Sequence, residues 1–112
     1  MRIVGGQFRG KALSAVGKGD AGANLRPTTD RVRENIFNIL DGGRIGDPVT
    51  GAVCLDLFAG TGALGLEALS RGAAHVTFVD QGRKAAQLIT ANIKLLEVGT
   101  QTRLIKSDAT RQ

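Results

Sequence analysis

The segment Asp56-Leu57-Phe58-Ala59-Gly60-Thr61-Gly62-Ala63-Leu64-Gly65 carries the residues best suited to grip a small molecule. Gly60 and Gly62 allow a tight turn in which the backbone comes close to a ligand. The residues after the turn are predicted to be helical, so a helix N-terminus presents its unpaired N–H groups at the same place. Gly60, Gly62 and Gly65 also fit the spacing G-x-G-x-x-G, and Asp80 stands 20 residues after Gly60, as a dinucleotide site requires.

Asp56 weighs against a dinucleotide. A pyrophosphate in this turn would be repelled by a carboxylate close by, by roughly 1–4 kcal/mol at ~4 Å. S-adenosylmethionine has no phosphate and brings a sulfonium and an α-ammonium, so the same carboxylate becomes favourable. Alternatively, Asp56 caps the turn or accepts backbone amides. Asp80 ends a predicted strand and could accept both ribose hydroxyl protons of either cofactor, or cap the helix that follows. Asp108, in Ser107-Asp108-Ala109, ends a further predicted strand and could receive an adenine amino group, although acidic residues commonly follow strands. Cys54 reads as a core thiol. His75, the single histidine, completes no Ser-His-Asp set, and no metal-ligand spacing occurs.

The surrounding pattern supplies elements that position these groups. Val53-Cys54-Leu55-Asp56-Leu57-Phe58 is nearly continuous apolar sequence, as for a strand buried on both faces. A helix is expected over about 63–71, a strand over 76–79, a helix over about 83–98 with Ala85, Ile89, Ile93 and Leu96 on one stripe and Gly99 past its end, and a strand over 103–106. This β-α-β-α-β order implies parallel strands with right-handed crossovers, one mononucleotide-binding half of a doubly wound sheet. Upstream, Thr28, Thr29 and Asp30 are N-cap types before a helix over about 29–41, in which Val32, Ile36, Ile39 and Leu40 recur at helical spacing. Arg2–Val4 and Lys11–Val16 are β-capable runs separated by Gly5, Gly6 and Gly10, so an N-terminal β-hairpin is expected, followed by a flexible loop over 17–24.

Composition narrows the class. At 112 residues and 42% hydrophobic, the chain suits one folded domain. No run approaches the ~18 apolar residues of a membrane helix, and the N-terminus lacks a signal-peptide h-region. A lone cysteine makes the cytoplasm the default location. The net charge of +5 is front-loaded: residues 1–45 hold eight Lys/Arg against four Asp/Glu, and residues 46–112 seven against six. That surplus suits an anionic partner, nucleic acid above all, or else a solubilising surface.

With these residues placed, the sequence resembles a known family, the bacterial small-subunit ribosomal RNA methyltransferases that modify guanine at its exocyclic N2 (the RsmD type). Three stretches carry the likeness: Arg2-Ile3-Val4-Gly5-Gly6-Gln7-Phe8-Arg9-Gly10-Lys11, Arg26-Pro27-Thr28-Thr29-Asp30-Arg31-Val32-Arg33-Glu34-Asn35-Ile36-Phe37-Asn38, and the run from Leu55 to Gly72. The third alone marks a wider methyltransferase class; the second and third together are specific. The resemblance implies an α/β, Rossmann-like methyltransferase half preceded by the hairpin, with S-adenosyl-L-methionine as cofactor. Residues 1–24 would face RNA and residues 25–112 would form a C-terminally incomplete cofactor-binding domain. Asp56, Phe58, Ala59, Gly60, Thr61 and Gly62 would hold the methionine end, Asp80 the ribose, and Asp108 with Ala109 the adenine. Arg2, Arg9, Lys11 and Arg26 would contact phosphates of small-subunit ribosomal RNA or of its assembly intermediate.

One departure from the family is plain. The family's Asn/Asp-Pro-Pro-aromatic motif, which orients the target amine, is absent: the two prolines, Pro27 and Pro48, are not adjacent, and the sequence ends at Gln112. No catalytic residue is therefore assigned, and the chain alone is expected to be inactive. The 53–58 strand is expected to be an exposed sheet edge that gives a route to self-association. Two other readings stand beside the enzyme: an NAD-type dinucleotide-binding half and an inactive cofactor- or RNA-binding module.

Overall fold

The computed structural model describes residues 1–14, 29–40, 48–57, 61–80 and 82–106. Three five- or six-residue strands form one parallel sheet in the order β1-β2-β3: β1 Val53–Leu57, β2 His75–Asp80 and β3 Thr102–Lys106. The first two pair from Val53↔His75 to Leu57↔Val79, the last two from Val76↔Thr102 to Asp80↔Lys106. Helix α1 spans Asp30–Leu40, α2 (Ala63–Ser70) crosses from β1 to β2, and α3 (Arg83–Leu96) crosses from β2 to β3. This is the expected half of a doubly wound sheet, and both crossovers put their helices over the face that carries Val76 and Phe78.

Helix α2 is packed closely against the sheet. Seven of its eight residues are buried. A Cβ on Gly65 would stand 2.4 Å from Phe78 and 2.8 Å from Val76, so the third glycine of the motif lets the helix lie directly on the sheet. Phe78, Leu66, Ile89 and Val76 form the centre of the core.

Several expectations change. The β1 run is not buried on both faces: Val53 is 78%, Leu55 62% and Leu57 49% exposed. Among the described residues β1 pairs only with β2, and the helices cover the opposite face. In α1 the buried residues are Arg33 and Phe37, while Val32 and Ile39 are exposed; an ion-paired arginine displaces part of the apolar stripe. Helix α3 stops at Leu96, and Glu97 takes the left-handed conformation that ends it, φ 57°. Val98 then turns inward, with its N–H on the Ile93 carbonyl and its side chain buried.

The N-terminal hairpin is reduced to an isolated antiparallel bridge between Arg2 and Ala12. Ile3 N–H still donates to Lys11 O, Gly10 N–H to Ile3 O and Leu13 N–H to Met1 O. A longer ladder does not form because the amides between are taken by α2. Val4 and Gly5 donate to the Glu67 carboxylate, Gln7 to the Ser70 carbonyl and Phe8 to Ser70 Oγ. Gly6 is required there, since a Cβ would meet the Ser70 carbonyl at 2.0 Å. The expected second strand extends past Ser14 outside the described residues.

Candidate functional site

Parallel strands end together, so β1 and β2 bring their last polar residues to one edge of the sheet. Asp56 lies on β1, opposite Phe78, and Asp80 closes β2. Burial pushes the Asp56 carboxyl up to about 6; a hydrogen bond from Gly65 N–H (3.2 Å) opposes this, and the nearby Asp80 charge adds to it. That amide belongs to the first turn of α2, so Asp56 is also tied to the helix start, as the backbone-accepting alternative anticipates. Asp80 accepts the Gly82 N–H at 2.8 Å in an Asx turn just before α3; Gly82, not Asp80, is the N-cap of that helix, which has no side-chain cap. Neither bond excludes a ligand, because a carboxylate can accept several donors.

Gly62 caps α2 in the left-handed conformation, φ 83°, and a Cβ there would meet Ile89 at 3.3 Å. Thr61 beside it is buried; its hydroxyl donates to the Met1 sulfur at 3.7 Å. Asp56, Thr61, Gly62 and Asp80 thus gather at the carboxyl ends of β1 and β2, where open α/β sheets bind ligands. Phe58, Ala59, Gly60, Asp108 and Ala109 lie outside the described residues.

The basic residues expected to meet RNA are placed apart from this edge in sequence and are exposed: Arg2, Arg9 and Lys11 all belong to the N-terminal segment. Arg26 lies outside the described residues.

Sequence reasoning missed the polar cluster that holds this segment. Glu67 and Arg33 are fully buried. Arg33 Nε meets Glu67 Oε1 at 3.5 Å, and its Nη2 donates to both the Arg2 carbonyl and Asp30 Oδ1. Arg71 Nε donates to Glu67 Oε2 at 2.9 Å and lies over the Phe37 ring, 5.0 Å from its centroid. Asn92 was missed as well. It is fully buried, donates through Nδ2 to the carbonyls of Thr61 and Ser14, both at 3.0 Å, and accepts the Ser14 N–H at 2.7 Å. The available signals were a single acid inside an apolar helix and an amide three residues after Ile89 on the buried stripe. No buried side-chain nitrogen or oxygen among the described residues lacks a partner.

Comparison with known proteins adds to this geometry. A family model described as conserved hypothetical protein 95 matches residues 1–112. YlbH of Bacillus subtilis, described as a candidate rRNA methyltransferase, is 46% identical over 115 residues, covering 99% of this chain and 55% of its own. Ribosomal RNA small subunit methyltransferase D of Escherichia coli is 45% identical over 109 residues, covering 97% and 50%. A solved Escherichia coli structure described as a candidate methyltransferase, yhhF, superposes with a TM-score of 0.77 at 42% identity, covering 97% of this chain and 53% of that one. The chain spans about half the length of the curated relatives it matches.

Proposed function

Because this chain belongs to the family described as conserved hypothetical protein 95, that of the ribosomal RNA small subunit methyltransferase D proteins, we propose that it binds S-adenosyl-L-methionine for a methyltransferase. The substrate in this reading is the exocyclic N2 of a guanine in small-subunit ribosomal RNA. The observation that carries the reading is the half-buried Asp56 carboxylate, beside Asp80 and bonded to the Gly65 N–H in the first turn of α2. Two like charges at one sheet edge suit a cationic ligand and disfavour a pyrophosphate.

The residues present fit the cofactor. Asp56 attracts its α-ammonium, the Thr61–Gly62 turn lets its methionine end approach the backbone, and Asp80 accepts from its ribose hydroxyls. Asp108 and Ala109 are assigned to the adenine by the family resemblance, and Phe58, Ala59 and Gly60 to the methionine end. When bound, the cofactor supplies an electrophilic methyl group on a sulfonium. The protein's share is positioning and exclusion of water. The side chains that would orient the guanine amine belong to the Asn/Asp-Pro-Pro-aromatic motif, which this sequence does not contain. Residues 1–24, with Arg2, Arg9 and Lys11, face the RNA or its assembly intermediate; residues 25–112 form the cofactor domain, from which Arg26 adds a further phosphate contact. Such a substrate sets the work in the cytoplasm, and among the described residues no helix is long and apolar enough to cross a membrane.

Calorimetric titration tests the cofactor. S-adenosylhomocysteine is expected to bind and NAD not to; the reverse result would restore the dinucleotide reading. Mass mapping of unmethylated small-subunit RNA after incubation with the full-length protein tests the substrate. A methyl group elsewhere than guanine N2, or none, would overturn that part.

A further inference from the structure

Asn92 belongs to α3 but makes none of its side-chain bonds within that helix. Its Nδ2 reaches the Thr61 carbonyl in the glycine turn, and Nδ2 and Oδ1 together grip the Ser14 backbone, carbonyl and amide. All three bonds are 2.7–3.0 Å long, and the residue is fully buried. The N-terminal segment therefore touches the turn from both of its ends: at Ser14 through Asn92, and at Met1, whose sulfur accepts the Thr61 hydroxyl. Between those ends lie Arg2, Arg9 and Lys11.

We propose that Asn92 is a positioning residue that braces the glycine turn against the exit of the N-terminal segment, so that the order of that segment sets the affinity of the turn for its ligand. A buried amide with three satisfied bonds is stiff, because breaking any one leaves a desolvated group unpaired. The turn beside it has a backbone carbonyl, Thr61 O, held by a side chain rather than by a helix or sheet ladder. Its geometry accordingly depends on Asn92, and Asn92 depends on Ser14. By reciprocity, a ligand that orders the turn also orders the segment. This inference rests on the cofactor reading above, but its test has a reading that does not.

The experiment compares Asn92→Ala, Ser14→Pro and the double variant in the full-length protein. Ser14→Pro removes the N–H that Asn92 accepts without touching Thr61. Each single change is expected to weaken S-adenosylhomocysteine by about tenfold, as Asn92→Ala breaks three buried hydrogen bonds and Ser14→Pro one. The double variant is expected to be no weaker than Asn92→Ala alone, since the two changes break one path. Hydrogen exchange supplies the second reading: the amides of residues 61–65 should exchange about tenfold faster in both single variants, with the β2 amides unchanged. Faster exchange at 61–65 without any S-adenosylhomocysteine binding by the wild type would overturn the cofactor reading and leave the brace standing. Unchanged exchange at 61–65, or additive losses of affinity in the double variant, would overturn the brace.

Discussion

Arg33 on α1 and Glu67 on α2 are both fully buried and meet at 3.5 Å, joining the two helices. Glu67 also accepts the Val4 and Gly5 amides and Arg71, while Arg33 reaches the Arg2 carbonyl. One pair of opposite charges thus fastens the N-terminal segment, α1 and α2 into a unit. Replacing Glu67 by Leu leaves Arg33 without its buried counter-ion and two backbone amides unpaired. The expected loss is about 3–5 kcal/mol of unfolding free energy, read by urea denaturation; a loss below about 1 kcal/mol would show that the cluster is not what holds the segment.

Asp56 should make ligand affinity depend on pH. Its carboxyl is raised from the usual carboxylate range to about 6, first by burial and then by the Asp80 charge. Between about pH 4 and 6 the folded protein therefore holds a proton that the unfolded chain has released, and ligand-free stability falls as pH rises through that window. A cationic ligand favours the ionised form, so S-adenosylmethionine affinity is expected to climb as pH rises through about 6, with proton release on binding. Calorimetry in buffers of different ionisation enthalpy measures that proton. Asp56→Asn should abolish the pH dependence while stabilising the ligand-free fold by on the order of 1–3 kcal/mol at pH 7.5.

Asp80→Ala removes a carboxylate placed to accept from the ribose. Losing a charge-assisted pair of bonds should weaken S-adenosylhomocysteine by about 1.5–3 kcal/mol. Unchanged affinity in calorimetry would remove Asp80 from the site and leave it as the acceptor of the turn before α3.

Arg9 and Lys11 are exposed on the N-terminal segment. Replacing both by Ala should reduce the slope of log K against log salt for RNA binding by about 1.5, the release of two fewer counterions. An unaltered slope would mean that the basic surplus of residues 1–45 serves solubility only.

The exposed side chains Val53, Leu55 and Leu57 lie along a strand that pairs on one side only among the described residues. The 112-residue chain is expected to self-associate through them, and Leu55→Lys to reduce that association. A monodisperse monomer in light scattering, unaffected by the substitution, would refute it.

Much of the molecule is legible in its sequence. Val53–Leu57, the 63–70 helix and His75–Asp80 follow from apolar runs and periodicity, and Gly62 and Gly65 from the demands of a tight turn and close packing. Local chemistry decides such features, since a strand must alternate or bury and a glycine must stand wherever Cβ cannot fit. The placement of Asp56 and Asp80 at one sheet edge follows from parallel topology, itself implied by the β-α-β order. Other features depend on contacts between residues dozens of positions apart. Glu67 takes amides 62 and 63 residues away, and Asn92 holds Ser14 across 78. No local pattern encodes such partners: a buried acid or amide states only that something must satisfy it, and the tertiary fold alone brings Val4, Gly5, Ser14 and Thr61 within reach. For the same reason the hairpin is shorter than its residues suggest, because α2 offers its amides buried acceptors that a second strand would otherwise supply.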